Sequence, residues 1–494
     1  MVNYGFVIDN RTCIGCHACT VACKSEHDVP IGVNRTHVKY IETGTYPNSS
    51  REFTVHRCNH CEDAPCTTIC PTTALFTRED GIVDFDDDRC IGCRACMQAC
   101  PYDALYIDPN KGTAAKCNYC AHRVENSYEP ACVIVCPTEA ITSGDLDDPD
   151  SKIAQLVATN NTTVRKPDSG ANPNVFYIEA SEEMLVPAAT ELTGSGMWTE
   201  QAVGVGHFAE YAKYGDSRLA GADTPSMIVQ LALEKKVKKA NPRDQAIIRD
   251  VMAKLADDDD QSSKATRSYD QPSKGILWDS DVAGYIVTKS MASGLYIFML
   301  LGALVFSDQY LVESYFFTKV GVIILVLMGL TGLLLIKDLD RPERFLYVLL
   351  RPNFSSWLVR GGYIIGAFST IVVLHILLDL SGLDPNLHYP LSFIGAPLAW
   401  MTGTYTGWLL KQAKGRTEWA RRSSARIAMT GTIELLLLGF IIPTLALVKS
   451  GTPDPVFAPS SILGVYLVVW VLIVFFGFRH IRTDLRNAQM EPLL

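Results

Sequence analysis

Two patterns of apolar residues divide the chain. Up to about residue 280, apolar positions form short groups, and segments such as GIVDFDDD and ALYIDPNKG have the composition of small strands and turns. From about Ala283 the apolar runs are long and nearly free of charge, each close to the roughly 17–25 residues that cross a bilayer. They predict six membrane spans, at 283–306, 318–336, 361–380, 391–410, 427–448 and 462–478.

The middle of the chain, residues 181–281, has neither a cysteine nor a long apolar run. PSMIVQLALEKKVKKA and NPRDQAIIRDVMAKLA predict two amphipathic helices, the second with Asn241 as N-cap and Pro242 at its first position. The run DDDD at 257–260 opens a polar linker. These patterns predict three parts: a domain at 1–180 that ends with RKPDSGANPNVFYI, a helical or linker segment at 181–281, and a membrane bundle at 282–494.

Charge and composition exclude some classes of function. The chain has 494 residues and a net charge of −9, and it has no block of Lys and Arg of the kind that binds nucleic acid. Its N-terminus, MVNYGFVIDNRTC, lacks a basic n-region, an apolar h-region and a twin arginine, so we expect no export signal. Cysteines kept in a reducing compartment do not form a disulfide framework.

All 16 cysteines lie in the first part of the chain and fall into four groups of four, three of which end in Cys-Pro. The groups are Cys13, Cys16, Cys19 and Cys23; Cys58, Cys61, Cys66 and Cys70; Cys90, Cys93, Cys96 and Cys100; and Cys117, Cys120, Cys132 and Cys136. We expect a short helix after each Cys-Pro and, with the short strands, two ferredoxin-like α+β halves.

The spacing of the cysteines favours four [4Fe–4S] clusters. A tight C-x2-C-x2-C loop wraps a compact cluster, glycines such as Gly15 and Gly92 let the backbone approach it, and the fourth thiolate ligates the other cluster of a pair. Structural zinc is the alternative, but zinc sites usually combine two separated cysteine pairs and often use histidine. The predicted fold is therefore an α+β double ferredoxin-like iron–sulfur domain followed by an all-α transmembrane helix bundle.

The loops between the spans differ sharply in positive charge. The loops 337–360 and 411–426 and the tail 479–494 are rich in Lys and Arg, whereas 307–317, 381–390 and 449–461 contain only Lys449. By the positive-inside rule, the first set is cytoplasmic. Six spans place the iron–sulfur domain on the same side, which predicts a multi-pass protein of the cell (inner) membrane with a cytoplasmic iron–sulfur domain.

Ionisable residues inside the spans are costly unless they serve a function. Lys289 lies about 9 Å and Glu434 about 10 Å from the cytoplasmic ends of their spans, at ~1.5 Å per residue. Asp338 and Arg341 lie at the same boundary, and Tyr405 lies within the fourth span. These groups converge at the depth where a quinone headgroup beneath the iron–sulfur domain would lie.

Other interpretations of these residues stay open. Lys289 could extend to the lipid headgroups, the charged loop around Asp338 could be an ordinary interfacial turn, and Tyr405 could be a packing aromatic. Glu434, a lone carboxylate in TGTIELLLLGF, needs a partner. His375 is typical of a hydrogen-bonded core residue, and because no pair of histidines suits bis-histidine ligation, no haem is predicted.

The sequence resembles two known subunits. CIGCHACTVACKSEHDVP and RCNHCEDAPCTTICP are similar to the four-cluster electron-transfer subunit of molybdopterin oxidoreductases such as dimethyl sulfoxide or polysulfide reductase. YIVTKSMASGLYIFMLLGAL, KDLDRPERF, SSWLVRG and TGTYTGWLL are similar to the polysulfide-reductase-type (NrfD) membrane subunit. The family usually has two separate chains, eight membrane spans, and a glycine where this chain has Asp340. Its cluster subunits often work outside the cytoplasm.

The resemblance implies a pairing of first with fourth and second with third groups. The implied ligand sets are Cys13, Cys16, Cys19 with Cys136; Cys117, Cys120, Cys132 with Cys23; Cys58, Cys61, Cys66 with Cys100; and Cys90, Cys93, Cys96 with Cys70. It also implies a quinone site in the first four spans, which favours Lys289, Asp338, Arg341 and Tyr405. Asp338 or Glu434 would carry protons.

The resulting hypothesis is an electron-transfer and membrane-anchor subunit that links a quinone pool (menaquinone or ubiquinone) to a partner. No nucleotide fingerprint or nucleophile–base pair is present, so the substrate chemistry is expected on a molybdopterin-type catalytic subunit, by family analogy. Membrane lipid and further small membrane subunits are other expected partners. Two alternatives remain: a self-contained ferredoxin:quinone oxidoreductase and a membrane redox sensor.

Overall fold

The structure is a computed structural model. It describes residues 2–45, 48–186, 190–192, 266–269, 276–305 and 316–416, and in the C-terminal part residues 419, 475, 478–479, 481–486 and 489. The two predicted amphipathic helices of the middle segment, the predicted span 427–448 with Glu434, and nearly all of the predicted span 462–478 lie outside these residues.

The first part of the chain is built from short strands and short helices. Its strands are β1 Tyr4–Asp9, β2 Thr36–Thr45, β3 Asn48–Arg57, β4 Leu75–Thr77, β5 Val83–Phe85, β6 Tyr106–Ile107, β7 Ala114–Ala115, β8 Ile141–Asp145, β9 Thr162–Thr163, β10 Val175–Ile178, β11 Glu191–Leu192 and β12 Thr266–Tyr269. Its helices are α1 Ala18–Glu26, α2 Pro65–Ile69, α3 Ala95–Ala99, α4 Ala121–Val124, α5 Ala131–Ile134, α6 Lys152–Thr159 and α7 Glu182–Leu185. A 3₁₀ turn lies at Pro167–Ser169.

Four small sheets organise these strands. One has the order β8-β1-β10-β9, in which β1 pairs with β10 in parallel and with β8 antiparallel. A second has the order β11-β12-β2-β3, built on the long β2–β3 hairpin. The pairs β4–β5 and β6–β7 confirm the small strands predicted from GIVDFDDD and ALYIDPNKG. Strands β11 and β12 come from segment 181–281 and join the sheet of β2 and β3. Both ends of that segment therefore pack on the first part of the chain, residues 1–180, which is called the iron–sulfur side below.

The short helices do not lie where the sequence predicted them. A strand follows each Cys-Pro, whereas α2, α3 and α5 come before it, and each contains the third cysteine of its group and ends before the fourth. Proline cannot donate a backbone hydrogen bond and disfavours helical backbone in the residue before it, so each helix ends before the Cys-Pro. The prediction of helices after Cys-Pro is therefore wrong.

The second part of the chain is helical. Its helices are α8 Ser280–Val305, α9 Phe316–Lys337, α10 Tyr347–Leu350, α11 Trp357–Ser381 and α12 His388–Gln412, with 3₁₀ turns at Pro342–Arg344 and Pro385–Leu387. The four long helices match the first four predicted spans. Among the described residues, Phe317–Lys337 and Trp357–Ser381 are long and apolar enough to cross a membrane by length and composition. Six spans remain a prediction.

The four long helices form a closed group, because each packs on the next and α12 packs back on α8. Their ends alternate. The start of α8, the end of α9, the start of α11 and the end of α12 all contact the iron–sulfur side. A single apolar core joins the two parts, since Trp278, Tyr285 and Leu409 cluster with Cys70 and Cys96. The end of the bundle next to this core is called the proximal end below, and the opposite end the distal end.

Candidate functional site

The four cysteine groups share one backbone turn. The residue two places after the first cysteine has a positive φ in every group: 68° at Gly15, 43° at His60, 70° at Gly92 and 61° at Tyr119. Its amide donates to the sulfur of that first cysteine in all four cases. The glycines were identifiable from sequence as sites of unusual backbone, but His60 and Tyr119 were not. The repeated turn makes the four loops equivalent despite their different spacings.

The fourth cysteine of a group lies beside the first three cysteines of another group. Burial raises the pKa of the Cys23 thiol, and the nearby Cys117, Cys132 and Cys120 raise it further. In the same way, Cys61 is buried close to Cys58 and Cys100, and Cys136 lies close to Cys13. The third and fourth cysteines of each group are four residues apart. The short helix that contains the third cysteine therefore places the fourth, inside it in α1 and at or just after its end in α2, α3 and α5, beside a different set.

The clearest mixed set lines one cavity. Cys70 of the second group and Cys90, Cys93 and Cys96 of the third group all face this cavity, with Pro71, Ile91 and Ala114 around them. The amide of Ala114 donates to Cys90 Sγ over 3.3 Å. We call this set of four cysteines the membrane-side set, for the contacts described below.

The chemistry around the cysteines fits iron–sulfur clusters. Burial raises the pKa of the Cys19, Cys96 and Cys117 thiols, so a bound cation is needed to hold them as thiolates. Among the described residues, no group of three or more His, Cys, Asp or Glu lies close enough to hold a single metal ion.

Two buried cations also suit this chemistry. Arg57 donates to Cys132 Sγ over 3.1 Å, and its Nε and Nη2 are buried without a protein acceptor. Lys116 is fully buried and lies close to Cys58. N–H groups aimed at this region suit the sulfur atoms of an anionic cluster, because hydrogen bonds to such sulfurs stabilise their charge.

The membrane-side set contacts the helical part directly. Trp278 Nε1 donates to the carbonyl of Cys93 over 3.3 Å, Arg344 to that of Cys90 over 3.1 Å, and Asn353 to that of Cys70 over 2.8 Å. Each contact holds the backbone of a cysteine, and none of the three donors was among the predicted site residues.

Asp340, which stands where the resembling family usually has glycine, contacts the first part of the chain. Its carboxylate binds Arg94, with Nε to Oδ2 at 3.0 Å, and its backbone approaches Gly92. A Cβ at position 92 would lie 2.6 Å from the Cβ of Asp340, so glycine is needed there for this approach as well as for the turn. The aspartate at this position thus forms a salt bridge between the two parts of the chain, which a glycine could not form.

A buried lysine, Lys289, lies within the helix bundle near its proximal end. Lys289 of α8 has an exposed fraction of 0%. Its amine donates to the carbonyls of Thr402 at 3.1 Å and Gly403 at 3.3 Å, and to the hydroxyl of Thr406. No carboxylate of the described residues forms a salt bridge with it. The amine therefore turns into the helix bundle instead of extending to the headgroups.

One aromatic ring lies against the lysine amine, and a second lies close to that ring. Its amine lies 3.9 Å from the centroid of the Tyr405 ring, a cation–π geometry. Tyr405 is buried against Gly361, where a Cβ would lie 2.1 Å from Cε2 of the tyrosine. Tyr285, one turn before Lys289, is buried close to both Tyr405 and Asp338. Sequence analysis missed Tyr285 and Gly361.

The other predicted residues are placed differently. Asp338 follows the last residue of α9 and lies close to Cys93 and Tyr285; burial raises the pKa of this carboxyl to about 7, although Arg94 opposes the shift. Arg341 instead donates to the carbonyl of Lys111 over 2.6 Å and pairs with Glu343. The structure thus brings Lys289 and Tyr405 together, links Asp338 to them through Tyr285, and engages Arg341 with the iron–sulfur side.

Comparisons with known proteins match both parts of the sequence. Residues 50–146 match the family model for a 4Fe-4S dicluster domain, and residues 270–427 match that for polysulphide reductase, NrfD. A polysulfide reductase chain of Wolinella succinogenes is 43% identical over 178 residues, which is 35% of this chain and 93% of that protein.

Further relatives match a similar share of the chain. A tetrathionate reductase subunit of Salmonella typhimurium is 42% identical over 190 residues, 37% of this chain and 75% of that protein. The arsenate respiratory reductase iron-sulfur subunit ArrB of Shewanella sp. is 34% identical over 224 residues, 36% of this chain and 96% of that protein.

Proposed function

Because this protein belongs to the family of iron–sulfur subunits that includes those of polysulfide and arsenate respiratory reductases, and carries an NrfD-type membrane domain after it, we propose that it conducts electrons between a membrane quinone pool and a separate catalytic subunit. The observation that carries this proposal is the direct contact between the membrane-side set of cysteines and the helices that bury Lys289. At that contact, a quinone bound among the helices would lie next to the first iron–sulfur cluster.

The iron–sulfur part is proposed to hold four [4Fe–4S] clusters. The sets are those in which the fourth cysteine crosses to another group: Cys13, Cys16, Cys19 and Cys136; Cys23, Cys117, Cys120 and Cys132; Cys58, Cys61, Cys66 and Cys100; and Cys70, Cys90, Cys93 and Cys96. When bound, such clusters take up and release single electrons. The equivalent turns, the neighbouring thiols and the shared cavity support these sets.

The two partners are proposed to bind at two different surfaces of the protein. Cys16 is exposed, unlike the other fifteen cysteines, and large apolar residues beside it, Ile14 and Val21, are more than half exposed. An exposed cysteine ligand with exposed apolar residues near it in sequence supports a docking site for another protein at this surface. We assign this end to the catalytic subunit, by family analogy one with a molybdenum or tungsten pterin. The membrane-side set serves the quinone, and the iron–sulfur part is placed on the cytoplasmic side from the loop charges.

The quinone site is proposed around Lys289, at the proximal end of the bundle. Quinone turnover exchanges two electrons and two protons, so the site needs a hydrogen-bonding group for a carbonyl oxygen and a route for protons. Tyr405 supplies a hydroxyl that can donate to this oxygen, and Lys289 can donate to it by exchanging one of its three protein acceptors for the quinone. Tyr285 connects them to Asp338, whose raised pKa suits a carboxyl that accepts and releases protons.

The partner can be identified from the intact protein. Affinity purification of the tagged full chain from its native membranes in mild detergent is expected to retain a large chain with molybdenum or tungsten, detected by elemental analysis and by pterin fluorescence after oxidation. Recovery of the protein without such a partner, together with quinone reduction by reduced ferredoxin alone, would instead identify a self-contained ferredoxin:quinone oxidoreductase.

Two adjacent glycines offer a matched test of the quinone site. In Gly361→Ala the new methyl group would overlap the Tyr405 ring, whereas a Cβ at Gly362 would have no atom within 4 Å of it. We expect Gly361→Ala to lower the rate of quinol oxidation by roughly tenfold, since displacing a positioning group of a reaction site costs about this much or more. Gly362→Ala should keep the original rate, and both variants should keep their full iron content. Equal rates in the two variants would remove Tyr405 from the site.

A further inference from the structure

A second group of ionisable side chains is buried in the bundle, toward its distal end. The hydroxyl of Tyr296 and Nε2 of His375 share a hydrogen bond of 2.9 Å, and Nδ1 of His375 lies 2.8 Å from Nδ1 of His388. These residues come from three different helices, α8, α11 and α12. All three side chains are buried. They form an unbroken chain of hydrogen bonds within the bundle.

The surroundings hold the two imidazoles in one geometry. Their rings lie within 3° of parallel, and the ring of Phe317 stacks on both, with centroids 5.3 Å from His375 and 4.1 Å from His388. Asp379 acts electrostatically on both histidines and accepts hydrogen bonds from the amide and hydroxyl of Thr318, at 2.9 and 2.7 Å. Each of the four long helices thus supplies a group to this cluster.

The chain of hydrogen bonds runs along the bundle, away from the iron–sulfur side. Tyr296 is seven residues beyond Lys289 on α8, or about 10 Å deeper at ~1.5 Å per residue. Ser293 lies between them, fully buried, and donates to the carbonyl of Lys289 over 2.9 Å. His388 is the first residue of α12, at the distal end. The group therefore extends from Tyr296, on the distal side of Lys289, to His388 at the distal end of the bundle.

Gly395 makes room for this arrangement. A Cβ at position 395 would lie 1.8 Å from the hydroxyl oxygen of Tyr296, so any larger residue would push the tyrosine off His375. The tyrosine hydroxyl can both donate and accept a proton, and histidine can accept a proton on one ring nitrogen while it releases one from the other, properties that a packing cluster of apolar residues would not need. Buried ionisable groups inside a bilayer commonly mark proton pathways.

We propose that Tyr296, His375 and His388 form a proton relay between the quinone site and the membrane face opposite the iron–sulfur part. This inference rests on the proposed quinone site. Oxidation of one quinol releases two electrons, which leave through the iron–sulfur part, and two protons. A proton moves from the Tyr296 hydroxyl to His375 Nε2 as His375 gives its Nδ1 proton to Nδ1 of His388. His388 releases the proton of its other ring nitrogen to water at the distal end, and Tyr296 regains a proton from the quinol side. Only O–H and N–H bonds form and break, and quinone reduction reverses the direction.

The relay can be tested with the full-length protein in lipid vesicles. Menaquinol in the membrane is the electron source, ferricyanide outside accepts electrons from outward-facing iron–sulfur parts, and a trapped pH dye reports protons in the lumen. The unaltered protein should acidify the lumen as ferricyanide is reduced. Tyr296→Phe and His388→Ala should lower lumen acidification by tenfold or more per ferricyanide reduced, on the order of a lost proton-transfer group.

Two further measurements separate proton transfer from packing. Imidazole trapped in the lumen should restore acidification in His388→Ala, which a purely structural role would not allow. Phe393→Leu changes an exposed aromatic ring of α12 that lies outside this cluster, and should behave as the unaltered protein. Unchanged lumen acidification in Tyr296→Phe and His388→Ala, or quinol oxidation by the unaltered protein without any lumen acidification, would overturn the relay. Failure of the unaltered protein to oxidise quinol at all would overturn the quinone site and the relay with it.

Discussion

Replacing Cys70 by alanine is expected to remove the cluster next to the membrane helices and to lower quinol-driven reduction of the remaining iron by about a hundredfold or more. Cys70 belongs to the second cysteine group in sequence, but it faces the cavity lined by the third group. Its carbonyl is also the acceptor for Asn353, at the contact with the bundle. Electrons from the quinone site would therefore lose their first acceptor.

The matched control is Cys66→Ala. Cys66 lies only four residues before Cys70, on α2, but its thiol is buried close to Cys100 and Cys58. Each variant should lose one cluster, so the iron content should fall from about sixteen to about twelve atoms per chain. Paramagnetic resonance after reduction with dithionite should show a different missing signal in each variant. Loss of the same signal from both would mean that the fourth cysteine does not cross between groups.

Much of the metal chemistry was accessible from spacing alone. Four groups of four cysteines, with three at close intervals, predict iron–sulfur ligands because few other centres need that pattern. The sequence also predicted the close backbone approach at Gly15 and Gly92. It could not show that His60 and Tyr119 adopt the same left-handed turn, because such a conformation in a large residue is stabilised by tertiary contacts. Tyr119, for example, donates to the carbonyl of Gly5 over 2.6 Å.

The contact between the two parts of the chain was not predictable. Hydropathy located the first four helices well but carries no information on what their connecting loops touch. Arg341 was therefore predicted in the quinone site, whereas its guanidinium contacts Lys111. Arg344 and Arg416, which also contributed to the charge bias of the loops, donate to Asp87 and Gln98. Positive charge in these loops thus serves the docking of the iron–sulfur part as well as any membrane orientation.

The buried groups around Lys289 and around His375 are each formed by residues far apart in sequence. Lys289 stood out as a charge in an apolar run, but its acceptors Thr402, Gly403 and Thr406 lie more than one hundred residues away on α12. His375 was interpreted as a hydrogen-bonded core residue, and its bond with His388 agrees with that, since the pair is hydrogen-bonded and buried. The hydrogen bond between this pair and Tyr296 depends on how three helices pack together. The spacing of apolar residues along the sequence does not specify that packing.

Replacing Lys289 by methionine is expected to abolish most quinone turnover while leaving the fold intact. Methionine has a similar length and no charge, and the carbonyls that accept from the lysine belong to the backbone of a helix. Because a buried amine without a carboxylate partner is costly, its removal should not destabilise the bundle. The reaction, however, loses a donor to the quinone oxygen, which is worth roughly 10²–10⁴ in rate. Quinol oxidation by the purified full-length protein in vesicles measures this loss.

Lys319→Met supplies the comparison, because Lys319 is an exposed lysine on α9 and the substitution removes the same charge from the same bundle. It should keep the original rate of quinol oxidation, and both variants should keep all of their iron and the same dithionite-reduced spectra. A drop confined to Lys289→Met then places the loss at the quinone and not in the iron–sulfur part. If Lys289→Met turns over at the rate of Lys319→Met, the buried amine is a helix-packing group and does not serve the quinone.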